Sequence, residues 1–401
     1  MRTRKIVIAG AGIVGSILAE RLRGLQCCEV ITLERSLPGE HEGAGTGLNI
    51  GPNAVKALRD FLPETAARLE QHGLPWREWR IALTDGRELM RLNLQDVADN
   101  EGLRLRWSQI YQVLRDPIRD AIKFGTELVS ARYARGNEEG PVTVEVRDRM
   151  AGRITVIQGV DLLIGTDGRY SKVRDAFFEP SLPRYLGVAM YRLLIKRDAA
   201  SLIDDYVQYF NGPNRLLAYR VPGGAVYLSG SFPIMPEAQV AERQKTPEAL
   251  ISLYKPRQGK LCAGVKFLLD AVEAAPDEIH WSRLQHEESA YDDGRGNVLL
   301  LGDAAHPMVP TLGQGATQSI EDACVAQEEI LTQDTFAAAI RAIVELRARR
   351  VDEVAALSWE ASDTMLEGAD PVSGTARKME PSFLARLAAV YRDTPKPRLV
   401  A

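Results

Sequence analysis

Cysteine is scarce: the 401 residues hold four, and only Cys27 and Cys28 stand close together. That excludes a disulfide framework, and no pair has the spacing of a zinc site. A reduced, cytoplasmic setting is the expectation. An excess of one charge is missing too, since 50 Lys and Arg face 54 Asp and Glu for a net charge of −4. Without a basic footprint, nucleic acid is not an expected partner. No stretch approaches the ~20 apolar residues of a membrane span. The basic start and apolar run of MRTRKIVIAGAGIVGSILAERL would suit a secretion signal, but Glu20 and Arg21 follow without a small-residue cleavage site. His41, His72, His280 and His286 show no ligand spacing, so no metal is expected. Internal repeats and low-complexity segments are also lacking.

What remains is an ordinary globular balance, 45% hydrophobic and 26% charged, long enough for two or three domains. KIVIAG reads as a buried strand, VGSILAERLRGL as a helix and EVITLER as a second strand, giving a right-handed parallel unit over residues 1–35. A glycine-rich loop covers residues 36–52. A helix is expected from about Asn53 to Glu70, with Asn53 as its N-cap. WREWRIALTDGRELMRLNL alternates around Asp85-Gly86, a hairpin. WSQIYQVLRDPIRDAI is helical, and residues 126–159 hold a small antiparallel set. VDLLIGTDG and VLLLGD are buried strands ending in turns. Strands dominate residues 183–290, with a helical part from about Pro247 to Ala274, and helices follow Thr317.

Strands at the start, near 160 and near 300 should share one sheet. The expected fold is α/β: a Rossmann-like nucleotide domain with an inserted β-sheet substrate domain and C-terminal helices. The expected boundaries are 1–180 and 291–330 for the two parts of the nucleotide domain, 181–290 for the insertion and 331–401 for the helical region. The run AAAIRAIVELRARRVDEVAALSWEAS is an amphipathic helix suited to core packing or a homodimer contact, not to membrane binding.

GAGIVG comprises Gly10, Ala11, Gly12, Ile13, Val14 and Gly15 between strand and helix. The first glycine allows the tight turn, the second lets a pyrophosphate approach the backbone, and the third lets helix and strand pack closely. The diphosphate then meets the free N–H groups of a helix N-terminus. Glu34, beside Arg35 at the end of the second strand, can accept from ribose hydroxyls, and an acid there disfavours NADP. NAD and FAD both stay open. GAGTG at 43–47 lacks the third glycine, because Leu48 stands in its place, and suits a loop touching the cofactor through Gly45, Thr46 and Gly47.

Two later turns favour FAD. Asp167-Gly168 follows one buried strand, with Ser171 and Arg174 on the next helix, and Gly302-Asp303 follows another. An extra acid suits the hydroxyl-bearing ribityl chain of a flavin. Beyond it, Pro310 and Gly313-Gln314-Gly315-Ala316 suit a ring lying against backbone, where helix N–H groups would stabilise negative charge on the reduced ring.

GAGIVG, GTDGRYSKVR and LLGDAAHPMVPTLGQGATQSIEDA stand in that order over residues 6 to about 325. In this the chain resembles the class A flavoprotein aromatic hydroxylases, the para-hydroxybenzoate hydroxylase-like family. The resemblance implies that the first motif binds the ADP part, that the second touches the cofactor and is linked with NADH or NADPH use, and that Asp303 holds the ribityl chain. It implies reduction by NAD(P)H, capture of O2 as a flavin hydroperoxide, and transfer of one oxygen to an electron-rich ring. Many relatives start the helix near 107 with a cofactor-reaching arginine; here Trp107 stands there, leaving Arg106 and Gln109 as candidate contacts. The variant W-x-x-I-Y-x-x-L, with GTGLNIGPN and QYFNGPNRLLAYRVPG, looks most like the branch containing 2,6-dihydroxypyridine 3-hydroxylase. That favours a small phenol-like or hydroxypyridine-like substrate.

Substrate contacts should come from the inserted sheet. Tyr191, Arg192, Gln208, Tyr209, Tyr219 and Arg220 are candidates, but side chains alternate, so only some face a cavity. Tyr209 and Tyr219 are the favoured catalytic groups, since a phenol can bond a substrate oxygen and pack on its ring. Pro310 is a candidate on the substrate side as well. His306 either orients the ring or substrate, or fixes the turn from behind. Two other readings stay open: a flavin oxidoreductase of the same fold that inserts no oxygen, and a flavoprotein that holds FAD without catalysis.

Overall fold

The computed structural model describes residues 3–40, 46–134, 137–256 and 258–398. The apolar runs pair as expected into a five-stranded parallel sheet. Its order is Val298–Leu300, Leu162–Gly165, Arg4–Ala9, Cys28–Glu34, Ile122–Phe124. Ala9 lies opposite Gly165, and Gly165 opposite Leu300, so three strands end at one level. Their following turns therefore open together at the carboxyl edge, where ligands of open α/β sheets bind. Ile6, Val7, Ile8, Leu163, Leu299 and Leu300 have no exposed surface, which explains their unbroken apolar runs.

A seven-stranded sheet stands apart, ordered His280–His286, Arg184–Ile195, Val226–Pro233, Asn214–Arg220, Tyr206–Asn211, Glu78–Leu83, Glu88–Asn93. The last two strands come from the first 180 residues: the expected hairpin joins this sheet through a parallel pairing of Tyr206 with Trp79. The sheet is thus larger than the insertion expected at 181–290. One face of the sheet packs on helices Pro247–Tyr254 and Ala263–Ala274 through Tyr191, Tyr209, Leu216 and Leu228.

Prolines interrupt the expected long helices. The segment after Gly51 forms Pro52–Phe61 and Pro63–His72, split because Pro63 drives Leu62 out of the helical region. Gly51, not Asn53, is the N-cap, with Pro52 in the first turn. Asn53 is instead buried one position further in, where its amide donates to Gln314 and Glu321. The amphipathic run forms Phe336–Glu360 and packs against Gln314–Thr332. Its Arg347, with no exposed surface, bonds Glu321 at 2.6 Å and Asp322 at 2.8 Å. Among the described residues, no helix is long and apolar enough to cross a membrane.

Candidate functional site

The first turn divides its glycines by task. Gly10 has φ +98°, and a Cβ there would lie 2.6 Å from Thr166 O; on Gly15 it would lie 1.9 Å from Gly10 O. Those two positions serve chain packing. A Cβ on Gly12 meets only Thr166 O at 3.9 Å, so the backbone there is open to a ligand. Gly12 caps helix Ile13–Leu22 without a side-chain bond, leaving its first N–H groups free for an anion. Glu34 is buried: one oxygen accepts from Ala11 N–H at 3.0 Å and Arg115 at 2.8 Å, the other from Ser36 N–H at 2.8 Å. Arg115 also donates to Ala11 O at 2.7 Å and stacks on Tyr111. Arg115 carries little signal in the sequence beyond its place one turn after Tyr111 on the same helix face. Glu34, Arg35 and Arg115 line a cavity of about 300 Å³.

In the second turn Asp167 looks inward to its own helix. Ser171 donates to it at 2.5 Å and the Lys172 N–H at 2.7 Å. Burial pushes the Asp167 carboxyl up, against these bonds. Gly168, at φ +79°, has nothing within 4 Å of its missing Cβ and faces both cavities. Arg174 crosses to the third turn, donating to Ala305 O at 3.0 Å and to Glu288 O at 2.7 Å.

The third turn places Asp303 exposed toward a larger cavity of about 440 Å³. A Cβ on Gly315 would lie 3.6 Å from Asp303 Oδ1, so the carboxylate stands beside the start of helix Gln314–Thr332. Gly313, at φ +66°, caps that helix, and a Cβ there would fall 2.3 Å from Asn49 Nδ2. Pro310, Gly315 and Ala316 line the cavity. Gln314 does not; its side chain turns inward and accepts from Asn53 at 3.1 Å and Gln318 at 3.0 Å. Gly302 sends its N–H to Asp322 at 2.8 Å.

His306 is buried behind this turn and absent from the lining, with Nε2 2.6 Å from Asp322 Oδ2. This geometry fixes the turn and does not present the imidazole to a substrate.

The seven-stranded sheet supplies the opposite wall, and alternation sorts the candidates. Arg192 and Tyr219 line the cavity, joined by Met190, Arg215 and Tyr227. Tyr191 and Tyr209 do not, because their odd-numbered positions on those strands face the helices. Tyr191 bonds Tyr254 at 3.2 Å, and Tyr209 accepts from Arg80 at 3.0 Å. Gln208 is on the inner face but buried, donating to Tyr206 at 3.2 Å. Arg220 pairs with Asp204 at 2.9 Å. Thr46, Gly47 and Trp107 reach the cavity, whereas Arg106 and Gln109 do not; Gln109 accepts the Arg106 N–H at 3.1 Å and caps its own helix. Gly45 and His41 lie outside the described residues.

The two cavities share Gly12, Tyr111, Thr166 and Gly168, forming one continuous cleft. Its narrow arm passes the glycine turn and Glu34, as an ADP group requires. Its wide arm passes Asp303 and the Gln314 helix start, as a ribityl chain and flavin ring require. The FAD-binding-domain family model matches residues 267–333, which include that third turn. A 3-amino-4-hydroxybenzoate 2-monooxygenase of Streptomyces cremeus is 29% identical, over 88% of this chain and 88% of its own. An FAD-dependent urate hydroxylase of Klebsiella pneumoniae is 29% identical, over 89% and 88%. The chain is similar to the class A flavoprotein aromatic hydroxylases. A 6-hydroxynicotinate 3-monooxygenase of Bordetella bronchiseptica is another similar flavoenzyme, 27% identical over 79% of this chain and 81% of its own. In fold the hydroxylase chain is similar to Klebsiella pneumoniae HpxO complexed with FAD and uric acid, with TM-score 0.76 at 21% identity over 96% and 92% of the chains. FAD is its cofactor.

Proposed function

We propose that this flavoenzyme uses NADH or NADPH and O2 to add one oxygen atom to a small hydroxylated aromatic or N-heteroaromatic ring. The observation that carries the reading is a single cavity with Asp303 and the Gln314 helix start on one side and Arg192, Arg215, Tyr219 and Tyr227 on the other. Bound FAD would pass electrons from NAD(P)H to O2 and deliver one oxygen atom to the substrate. Glu34 and the first helix would hold the ADP part, and Asp303 the ribityl hydroxyls. Free N–H groups after Gly313 would receive negative charge at the ring.

The protein's remaining work is to orient the substrate and exclude water. Tyr206 stacks on Tyr219 with ring centroids 5.7 Å apart, and Tyr227 lies tilted against Tyr219 at 4.9 Å. They offer an apolar platform with hydroxyls at its rim. Tyr219 is the candidate to bond the substrate hydroxyl; Gly47, whose missing Cβ would lie 2.9 Å from its ring, brings the cofactor loop against it. The variant helix start at Trp107 supports a hydroxypyridine-like ring, as do the hydroxynicotinate and urate activities carried in relatives' names. The test is turnover of purified, FAD-loaded protein with 18O2, NADH or NADPH, and a panel of phenols and hydroxypyridines. Product carrying one labelled oxygen supports the reading. Stoichiometric turnover under strict anaerobiosis would replace it with an oxidoreductase that inserts no oxygen.

A further inference from the structure

The amino edge of the parallel sheet carries reactive groups that the cleft does not use. Cys28 opens the strand Cys28–Glu34 and Cys27 precedes it, and their Sγ atoms lie 3.8 Å apart. Consecutive residues of a strand point to opposite faces, which would hold neighbouring sulfurs apart. Here Cys27 still belongs to the preceding turn, closed by the Cys28 N–H donating to Leu25 O at 3.0 Å, and the two sulfurs come together. Arg4, paired with Cys28 on the neighbouring strand, is held against them. Its N–H donates to Cys27 O at 3.0 Å and its Nη2 to Cys27 Sγ at 3.8 Å. The guanidinium rests on the Phe336 ring, 4.6 Å from its centroid. The groups that raise the Arg4 pKa are the two cysteines, Cys27 first through its hydrogen bond, with no carboxylate among them.

The two thiols are unlike. Cys27 is exposed and Cys28 half-buried. The hydrogen bond from Arg4 pulls the Cys27 pKa down, the setting of a reactive thiolate. Burial, followed by the hydrogen bond and charge of Cys27, pushes Cys28 up, so it stays a thiol while its neighbour is ionised. When Cys27 becomes neutral its charge no longer opposes ionisation of Cys28, and Arg4 favours it. Two close sulfurs also suit a thiophilic metal ion, but the Arg4 cation opposes one. Among the described residues no third ligand joins them either. Cys324, by contrast, is sealed in the core, and burial raises its thiol.

We infer that Cys27 and Cys28 form a peroxide-reactive pair, with Cys27 as the nucleophile and Cys28 as the resolving thiol, closing a reversible disulfide between adjacent residues. The Cys27 thiolate attacks one oxygen of hydrogen peroxide. An S–O bond forms, the O–O bond breaks, and the departing hydroxide takes up a proton as water, leaving Cys27 as a sulfenic acid. Cys28 sulfur then attacks Cys27 Sγ. The S–S bond forms, the S–O bond breaks, and hydroxide leaves with the Cys28 proton as a second water. Two electrons pass from the sulfurs to the peroxide, and an external dithiol returns them. The α-carbons of adjacent residues stand about 3.8 Å apart, below the roughly 4.4–6.8 Å of ordinary disulfides, so the closed bond is strained and easily reduced. That makes it a transient mark and not a staple, in keeping with a reducing setting. The pair lies the six residues of Arg4–Ala9 back from the Gly10 turn, about 20 Å from the cleft. It therefore stands on its own geometry, whether or not the flavin inserts oxygen.

The experiment treats FAD-loaded protein with hydrogen peroxide at neutral pH and weighs the tryptic peptide of residues 24–35, which holds both cysteines. The peptide should lose two hydrogens and regain them with dithiothreitol. Cys28→Ser should stop at a sulfenic acid on Cys27, trapped by dimedone, and Cys27→Ser should leave Cys28 reduced. Iodoacetamide should alkylate Cys27 about tenfold or more faster than Cys262 in the same molecule, and Arg4→Gln should slow Cys27 about threefold or more. Should Arg4→Gln fail to fold, Arg4→Lys keeps the charge and should hold the rate within about twofold, and the comparison with Cys262 needs no variant. A peptide that loses no hydrogens, or Cys27 driven to sulfonic acid beside a free Cys28, overturns the inference. So does a disulfide linking two chains, or a Cys27 no faster than Cys262.

Discussion

His306 Nε2 and Asp322 Oδ2 lie 2.6 Å apart with both side chains sealed from solvent. The second Asp322 oxygen accepts from Arg347 at 2.8 Å. Burial alone pushes this carboxyl up, but His306 and Arg347 outweigh it and hold it down to about 2. Its folded pKa is therefore below the unfolded value near 3.9. The stabilisation is complete above that value and is lost as pH falls toward about 2. Asp322→Asn should cost about 3–5 kcal/mol at neutral pH, since Arg347 would lose one of its two buried carboxylate partners and His306 its own. Urea unfolding at several pH values checks this: the gap between variant and parent should shrink between about pH 4 and pH 2. A gap below about 1 kcal/mol at neutral pH would refute it.

His306→Gln should lower FAD retention and melting temperature through the same turn. Turnover per bound flavin should stay within about threefold of the parent. A hundredfold fall in turnover with flavin fully bound would instead give the imidazole a direct part in the reaction.

Asp303 is exposed toward the cleft, so its loss should spare the fold and strike the cofactor. Asp303→Ala should raise the FAD dissociation constant about 10- to 100-fold, the worth of one or two charge-assisted bonds. Titration of apoprotein with FAD by fluorescence measures it. An unchanged constant removes the ribityl role.

Gly12 and Gly15 should separate cofactor from fold. Gly15→Ala drives a methyl to 1.9 Å from Gly10 O and should destabilise even the apoprotein, by about 3 kcal/mol or more. Gly12→Ala has no such clash and should keep apoprotein stability within about 1 kcal/mol while weakening FAD binding. Paired melting curves with and without FAD decide the matter. Equal losses in both apoproteins would contradict it.

Tyr219→Phe should alter KM or kcat for the hydroxylated ring by about tenfold, whereas Tyr209→Phe should leave both within about twofold. Steady-state kinetics on the two variants suffices. The reverse order would mean that the helix-facing side of the sheet communicates with the site.

The cofactor half of the site was largely readable because its chemistry is local. A strand, a glycine turn and a helix are neighbours in sequence, as are Leu301, Gly302 and Asp303. The substrate half was not, because alternation says that Tyr191 and Arg192 face opposite ways but not which faces inward. That choice is made by helices Pro247–Tyr254 and Ala263–Ala274 covering one face. Gly230 hints at it, since a Cβ there would fall 2.0 Å from the Tyr191 ring. The pairing of Trp79 with Tyr206 spans too much chain for any local pattern. Pro63 was a readable break that the helical periodicity around it masked. In the sequence Arg215 is one more basic residue on a strand; only its burial, with Nε unpaired among the described residues, sets it apart.

The level ends of Ala9, Gly165 and Leu300 have a consequence for synthesis. The strand Val298–Leu300 leaves the ribosome long after Arg4–Ala9 and Leu162–Gly165, so the growing chain carries an open sheet edge along Leu162–Gly165. Such an edge invites wrong partners until its own strand arrives. On the proposed binding mode, the nascent protein would complete the FAD cleft only when the Gln314–Thr332 helix has emerged.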